Sequence, residues 1–522
     1  MTEVADPAPR LSDLNERERS DRFSRLQQRL VPLWEAMRLN QPGESIVVVP
    51  SVPTDGTAAG AAVQALEERM LFLLLLLRKP RMRVIYVTGR PVPESVVEYY
   101  LALLPGVIPR QARARLHMVA THDGSARALV EKLLERPRVL TEIRALIPDP
   151  ARSHLVPYTT STDERDLALM LGIPLYGADP IHLPFGTKTG CRRLFAEVGV
   201  AHPLGYEDVH ETAQVIDSLA RMRAAKPTVT NAIVKLNDGV AGRGNAVVDL
   251  SDLPAPGAPD EGAALARRVE EMAFEHPDVV LATYLAQFAR DGGIVEERVT
   301  GVELRSPSVQ LRVTPLGDVE ILSTHDQLLG GPSGQTYLGC RFPADFAYAR
   351  TISAEAAKIG ARLAQEGVLG RFAVDFVVVR DRTGEWSAHA IELNLRKGGT
   401  THPFLTLQFL TDGEYDAATA LFVAPSGREK HLVATDHLED DRLRGFSIDD
   451  LFDVVVRHRL HFDPARQSGV VFHMMGALSE LGSVGLTAVG DSREQADALF
   501  RRAERVVHEE AAVAPELPLP PV

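Results

Sequence analysis

The chain has 522 residues, 45% hydrophobic and 24% charged, with a formal net charge of −13. That length exceeds what one hydrophobic core serves, so three or four packed units are expected. The acidic balance argues against a nucleic-acid partner, which needs a basic surface, and two cysteines, Cys191 and Cys340, supply neither a disulfide framework nor a zinc spacing. The longest apolar run, Met70 to Leu77, falls far short of the roughly 20 residues that span a bilayer. With no basic, apolar leader at Met1, the expectation is a cytoplasmic protein without a membrane partner.

Residues 1–44 read as a charged N-terminal segment ending in a helix, roughly Glu18 to Arg38, closed by Asn40, Pro42 and Gly43. Ser45 to Pro50 reads as a buried strand, Ala58 to Leu77 as one long helix, and Arg83–Thr88 and Arg115–Ala120 as further strands. Leu167–Leu171 and Ile173–Tyr176 look like a last helix and strand, making 45–185 a doubly wound α/β unit. The pattern then becomes α+β over 186–424, with helices at Thr189–Val198, Leu265–Glu275 and Ala354–Gln365 between strand-turn-strand segments. A small third unit is expected at 425–510, with an amphipathic stretch at Ile448–Arg459, a strand at Gly469–His473 and a helix at Arg493–Glu509. The proline-rich tail, 511–522, is expected to be disordered.

Strand Ala232–Leu236 runs into Asp238-Gly-Val-Ala-Gly-Arg-Gly-Asn245 and then into a second apolar strand. Closely spaced glycines let backbone amides curl around a polyanion, and Lys235 at the mouth adds a full positive charge. A flexible hairpin with a surface lysine is the plain alternative. The spacing is not that of a dinucleotide fingerprint, and a strand rather than a helix follows. Gly186-Thr-Lys-Thr189 lacks the Gly-Lys-Thr adjacency of a Walker loop; Lys188 sits just ahead of a helix, where an anion would offset its conflict with the helix's positive end. The chain holds only eight lysines, which makes these two conspicuous; solvated lysines are the competing reading.

The hairpin Gly370–Val379, turn Arg380–Gly384 and return strand Ala388–Leu395 carries a second signal. Alternation places Glu392 and Asn394 on one face, opposite Ile391, Leu393 and Leu395, and sets Asp375 opposite Phe372, Val374, Phe376 and Val378. Three oxygen-bearing side chains from neighbouring strands suit magnesium, which takes a few carboxylate oxygens plus phosphate and water. Solvent-facing polar residues are the alternative, but an unpaired Asp375 in so apolar a strand would be costly. Arg396 and Lys397, immediately beyond, have the charge to balance a transferring phosphoryl group, or form a plain basic turn.

With these elements in this order, the chain resembles the ATP-grasp superfamily, most closely the peptide ligases typified by the pheganomycin-forming enzyme. The resemblance runs through Tyr86-Val-Thr-Gly89, Glu98-Tyr-Tyr100, Leu171–Tyr176, Gly469–His473 and, most specifically, Glu392-Leu-Asn-Leu-Arg-Lys-Gly-Gly-Thr-Thr-His-Pro403. It implies an ATP-grasp fold at 186–424 in two lobes, about 186–290 and 291–424, preceded by the doubly wound pre-ATP-grasp domain and followed by the small C-terminal α+β domain. It further implies that Lys188 and Lys235 contact ATP phosphates beneath Gly242, Arg243 and Gly244, that Glu296, Glu297 and Val299 flank the adenine, and that Glu303 holds the ribose. Asp375, Glu392 and Asn394 would hold two magnesium ions (or manganese). Arg371, four residues before Asp375, takes the place of the arginine many relatives carry two before it, where this chain has Ala373. His325, Asp326, Gln327 and Gln335 match positions near the acceptor cleft.

The implied activity is an ATP-dependent carboxylate–amine ligase that passes through an acyl phosphate and releases ADP and phosphate, with a small carboxylic acid and an amine or peptide as substrates. A kinase or carboxylase on the same nucleotide site, or a non-catalytic ATP-binding module, are the competing readings; the intact metal set argues against the last. A homodimer is the default assembly.

Overall fold

The computed structural model describes residues 10–38, 45–53, 60–239, 244–276, 278–331, 334 and 336–513. Gly242, Arg243 and Gln335, and the tail from 514 to 522, lie outside them. Residues 511–513, expected in that tail, continue the final helix, Arg493–Val513.

Four parallel strands form the first sheet in the spatial order Leu116–Ala120, Arg83–Thr88, Ser45–Val49, Ser153–Pro157. Their side chains alternate between two cores. Ile46, Val48, Val84 and Tyr86 enter one, while Val47, Val49, Ile85 and Val87 enter the other. Both faces are therefore covered, as the doubly wound pattern requires. The fourth strand is Ser153–Pro157 rather than Ile173–Tyr176; the latter contributes only a single bridge, Leu175 to Leu155. The expected long helix is also two pieces, an α-helix Gly60–Glu68 and a 3₁₀ segment Leu71–Arg78. The leucine run is buried nearly all round, so packing from several sides rather than an amphipathic stripe sets its path. The N-terminal helix is likewise divided, into Glu16–Gln27 and Leu30–Arg38.

A five-stranded antiparallel sheet in the order Gly205–Val209, Gly293–Glu297, Asn231–Leu236, Asn245–Asp249, Ala273–Phe274 forms one jaw of the middle region, with its own core around Val234, Leu265 and Phe288. The helices behind it are Thr212–Ala225, Glu261–Glu270 and Leu281–Asp291, the last two replacing the single helix expected at Leu265–Glu275. The other jaw is a nine-stranded sheet that includes Pro307–Val313, Val319–Gly330, Gly370–Arg380 and Trp386–Asn394. Helix Phe346–Gln365 packs against its apolar face.

Two domain boundaries differ from expectation. Helix Lys188–Glu197 buries Cys191, Leu194 and Phe195 in the core of the large sheet rather than that of the five-stranded jaw. Among the described residues after 425 no separate sheet forms. His431–Glu439, Ser483–Gly490 and Gly469–His473 extend the nine-stranded sheet through Thr336–Phe342, and their apolar residues share one core with Tyr86, Tyr100 and the leucine run.

Candidate functional site

Between the two jaws lies a cavity of about 340 Å³. One wall carries Ile233 and Lys235, Gly239 and Gly244 from the ends of the glycine loop, and Glu296 to Val299. The facing wall carries Gln327, Tyr337, Asp375, Phe376, Val377, Ile391, Glu392 and Asn394, with Lys188 and Arg396 at its edge. Most of the residues singled out from sequence meet here across a gap between lobes.

Strand pairing builds the acidic wall. Asp375 stands opposite Glu392 and Ala373 opposite Asn394, and a register shift between Asp375 and Phe376 kinks the pair. Asp375 Oδ1 accepts from Gln327 Nε2 at 2.9 Å and Oδ2 from Asn394 Nδ2 at 3.0 Å. Burial, and Glu392 beside it, push the Asp375 carboxyl up to about 6. Glu392 is half-buried, but Lys188, whose Nζ lies 2.5 Å from Oε1, outweighs the desolvation cost and holds its pKa below the usual range. Burial works against the Lys188 ammonium, and Glu392 reverses that effect to raise its pKa. Two crowded, half-buried carboxylates beside an amide form an all-oxygen donor set whose mutual repulsion a hard divalent cation would relieve, so these residues fit magnesium.

The opposite wall is cationic and braced. Lys235 Nζ lies 2.5 Å from Glu296 Oε1, while Glu296 Oε2 receives Arg192 Nη1 at 2.9 Å. Arg192 is four residues along the helix from Lys188 and therefore on the same face. It also holds Glu207, at 2.7 Å. The Glu297 carboxylate is engaged by Lys226 at 2.5 Å and by the Leu204 amide at 3.1 Å. Ile233, Val299, Leu304, Leu329, Phe376 and Ile391 line the apolar part of the cavity. A planar heterocycle suits that slot, and its phosphates would extend toward Lys188 and Lys235.

Several expected site residues lie elsewhere. Glu303 is not part of the cavity lining; its carboxylate binds Arg305 and Arg380, while strand alternation turns Leu304 and Ser306 inward. Lys397 points away from Arg396 into the seam with the first domain, where Nζ donates to the Pro157 carbonyl; burial, then Arg371, depress its pKa to about 7. Arg371 is itself half-buried opposite Arg312 and lowered to about 10 by desolvation and that neighbour. Neither reaches the cavity. His325 lies beneath helix Thr401–Thr411, packed on Phe342 and Phe404 with burial pushing it down to about 3. Asp326 accepts from Tyr348 Oη at 2.7 Å and from the Asp345 amide at 3.0 Å. Of that trio only Gln327 reaches the cavity.

Sequence reasoning missed Arg192 and Tyr337. Only the i,i+4 spacing from Lys188 could have pointed to Arg192, and nothing local to Tyr337.

The family described as "IQCH-like, ATP-grasp" matches residues 180–273 and 259–418, and the "PGM1 C-terminal domain" matches 450–503. The chain is 28% identical over 449 residues to an L-propargylglycine–L-glutamate ligase from Streptantibioticus cattleyicolor, covering 84% of this chain and 89% of that one. It is 25% identical over 481 residues to IQ motif-containing protein H of Danio rerio, covering 83% of this chain but 45% of that protein. Among solved structures, the biotin carboxylase domain of Hydrogenobacter thermophilus 2-oxoglutarate carboxylase, in complex with magnesium-ADP, superposes with a TM-score of 0.53 at 12% identity, covering 89% of this chain and 90% of that one. The ADP complex of N5-carboxyaminoimidazole ribonucleotide synthetase gives 0.50 at 12% identity, covering 90% and 98%.

Proposed function

We propose that this chain, whose residues 180–418 match an ATP-grasp family, is an ATP-dependent carboxylate–amine ligase that joins two amino acids, or an amino acid and a peptide. The observation that carries this reading is the single cavity in which Lys188 and Lys235 face Asp375, Glu392 and Asn394. The likeness to an amino-acid ligase along most of both chains favours amide formation over carboxylation.

Amide formation from a free acid in water is uphill, so the acid must first be activated. The substrate carboxylate would take the γ-phosphoryl group of ATP, releasing ADP; the amine would then attack the acyl carbon and release phosphate. Magnesium held by Asp375, Glu392 and Asn394 would neutralise phosphate charge. Lys188 and Lys235 supply fixed positive charge from the two sides of the cavity, and Arg396 adds a third cation beside Asn394. Glu296 and Arg192 hold Lys235 in place, so that charge needs little rearrangement when an anion arrives. Ile233, Leu329 and Ile391 exclude water from the base-binding end.

The test is incubation with magnesium-ATP and an amino-acid and dipeptide library, reading ADP release and products lighter by one water than the summed reactants. Glu392→Gln should lower ADP release at least a hundredfold while leaving the melting transition cooperative. ADP release that depends on bicarbonate rather than on an acid and amine pair would replace this reading with a carboxylase.

A further inference from the structure

Away from the cleft, three buried side chains converge. His402 opens helix Thr401–Thr411, Asp436 lies on strand His431–Glu439, and His473 ends strand Gly469–His473. Their donor atoms form a near-equilateral triangle: His402 Nε2 to His473 Nε2 3.1 Å, His402 Nε2 to Asp436 Oδ1 3.0 Å, and His473 Nε2 to Asp436 Oδ1 2.8 Å. None of the three lines the cleft, and each is at most 5% exposed.

Hydrogen bonding alone accounts poorly for this triangle. If both Nε2 atoms carry hydrogens, two donors converge on one carboxylate oxygen at an angle near 60°, about half the spread of its lone pairs (roughly 120°). If one Nε2 is bare, its lone pair faces the lone pairs of Oδ1 instead. Either protonation pattern leaves one edge repulsive. A cation seated above the triangle makes all three edges favourable, and the size fits: ligands about 2.1 Å from a metal and at right angles to one another sit about 3.0 Å apart.

The surrounding chain is shaped to aim these groups. His473 pairs with Gly485, where a Cβ would lie 2.2 Å from His473 Nε2, so only glycine leaves room for the imidazole. A register shift between Thr435 and Leu438 turns Asp436 out of regular alternation. Arg69 of the first domain lies 2.8 Å from Asp436 Oδ2, the outer oxygen, and fixes the carboxylate as second-layer partners of metal ligands do.

We propose that His402, Asp436 and His473 bind one divalent transition-metal ion of the zinc class, on a facial set of two imidazoles and one carboxylate. Two nitrogen donors select such an ion over magnesium or calcium. The ion clamps together the helix that follows the Arg396 loop, two strands of the large sheet and, through Arg69, the first domain. It is a metal site distinct from Asp375, Glu392 and Asn394, and it stands whether or not the chain proves to be a ligase.

The test uses the full chain, stripped with chelator, returned to excess magnesium to saturate hard-oxygen sites, and titrated with zinc or cobalt(II). Elemental analysis should give one zinc per chain after desalting, zinc should raise the melting temperature by several degrees, and cobalt should give a visible ligand-field spectrum unlike that of the aquo ion. His473→Asn and Asp436→Asn should lose the zinc, whereas Asp375→Asn should keep it. Should those variants fail to fold, the wild-type stoichiometry and cobalt spectrum decide alone. Sub-stoichiometric zinc in the wild type, an aquo-like cobalt spectrum, or full zinc retention by a folded His473→Asn protein would overturn the proposal.

Discussion

Glu296→Gln is the sharpest test of how the cationic wall is built. The Glu296 side chain is 2% exposed and lies between Arg192 Nη1 at 2.9 Å and Lys235 Nζ at 2.5 Å, themselves 2% and 6% exposed. Removing its charge leaves two buried cations facing one another. Breaking a buried pair typically costs about 3–5 kcal/mol. Here the lower end is expected, about 3 kcal/mol, because the amide oxygen keeps one hydrogen bond and Arg192 retains Glu207 and the Pro203 carbonyl. Lys235→Met should cost only about 1 kcal/mol, since Glu296 still has Arg192. Whatever the urea dependence of so long a chain, the two midpoint shifts should stand in a ratio of about three to one. Urea unfolding followed by circular dichroism reads both values. Saturating magnesium-ATP should narrow the deficit of Glu296→Gln, because phosphate would supply the missing anion. Equal losses, or a larger loss for Lys235→Met, would refute the bracing argument.

Arg396→Met should slow turnover at least tenfold with little change in melting temperature, because Arg396 borders the cavity; equal activity would remove it from the site. Lys397→Met should act through stability instead. The wild-type ammonium, depressed by burial to about 7 when folded, binds fewer protons than the unfolded chain above that pH, so native stability rises from pH 7 toward 10.5. That rise should flatten in the variant, as thermal melts across this range will read. Glu67→Gln tests the opposite sign. Burial holds Glu67 at about 7 despite the Gly89 amide at 2.6 Å, so its protonated form favours the native state below pH 4.5, and the benefit disappears as pH rises through 7. The variant should gain relative to wild type as pH climbs from 4.5 to 8; a constant difference would contradict the assignment.

Much of the site was legible because it is local. Lys235 beside its glycine loop, and Asp375, Glu392 and Asn394 on a hairpin with two-residue periodicity, are readable from spacing alone, and the cavity unites them. What escaped was non-local. Lys397 is the neighbour of Arg396 in the turn after Asn394, and only the packing of the first domain, which offers the Pro157 carbonyl, decides which of the two turns inward. His325 and Gln327 share a face of one strand, yet the aromatic contact with Phe404 covers the first and not the second. The missed strand Ser153–Pro157 carries a serine, a histidine and a proline, a poor signature for a fully buried strand. The triad of His402, Asp436 and His473 spans residues from three distant segments, and no spacing rule joins them.

The shared core of the first sheet and the C-terminal strands has a mechanical consequence. With helix Lys188–Glu197 rooted in the large sheet, the five-stranded lobe keeps, among the described residues, an interior that shares no side chain with the other cores. A nucleotide held between the lobes would then be gripped by that lobe turning about its Arg192 tether to helix Lys188–Glu197, bringing Lys235 over the phosphates. Small-angle scattering should register this as one contraction on nucleotide addition, with the remainder of the envelope unchanged.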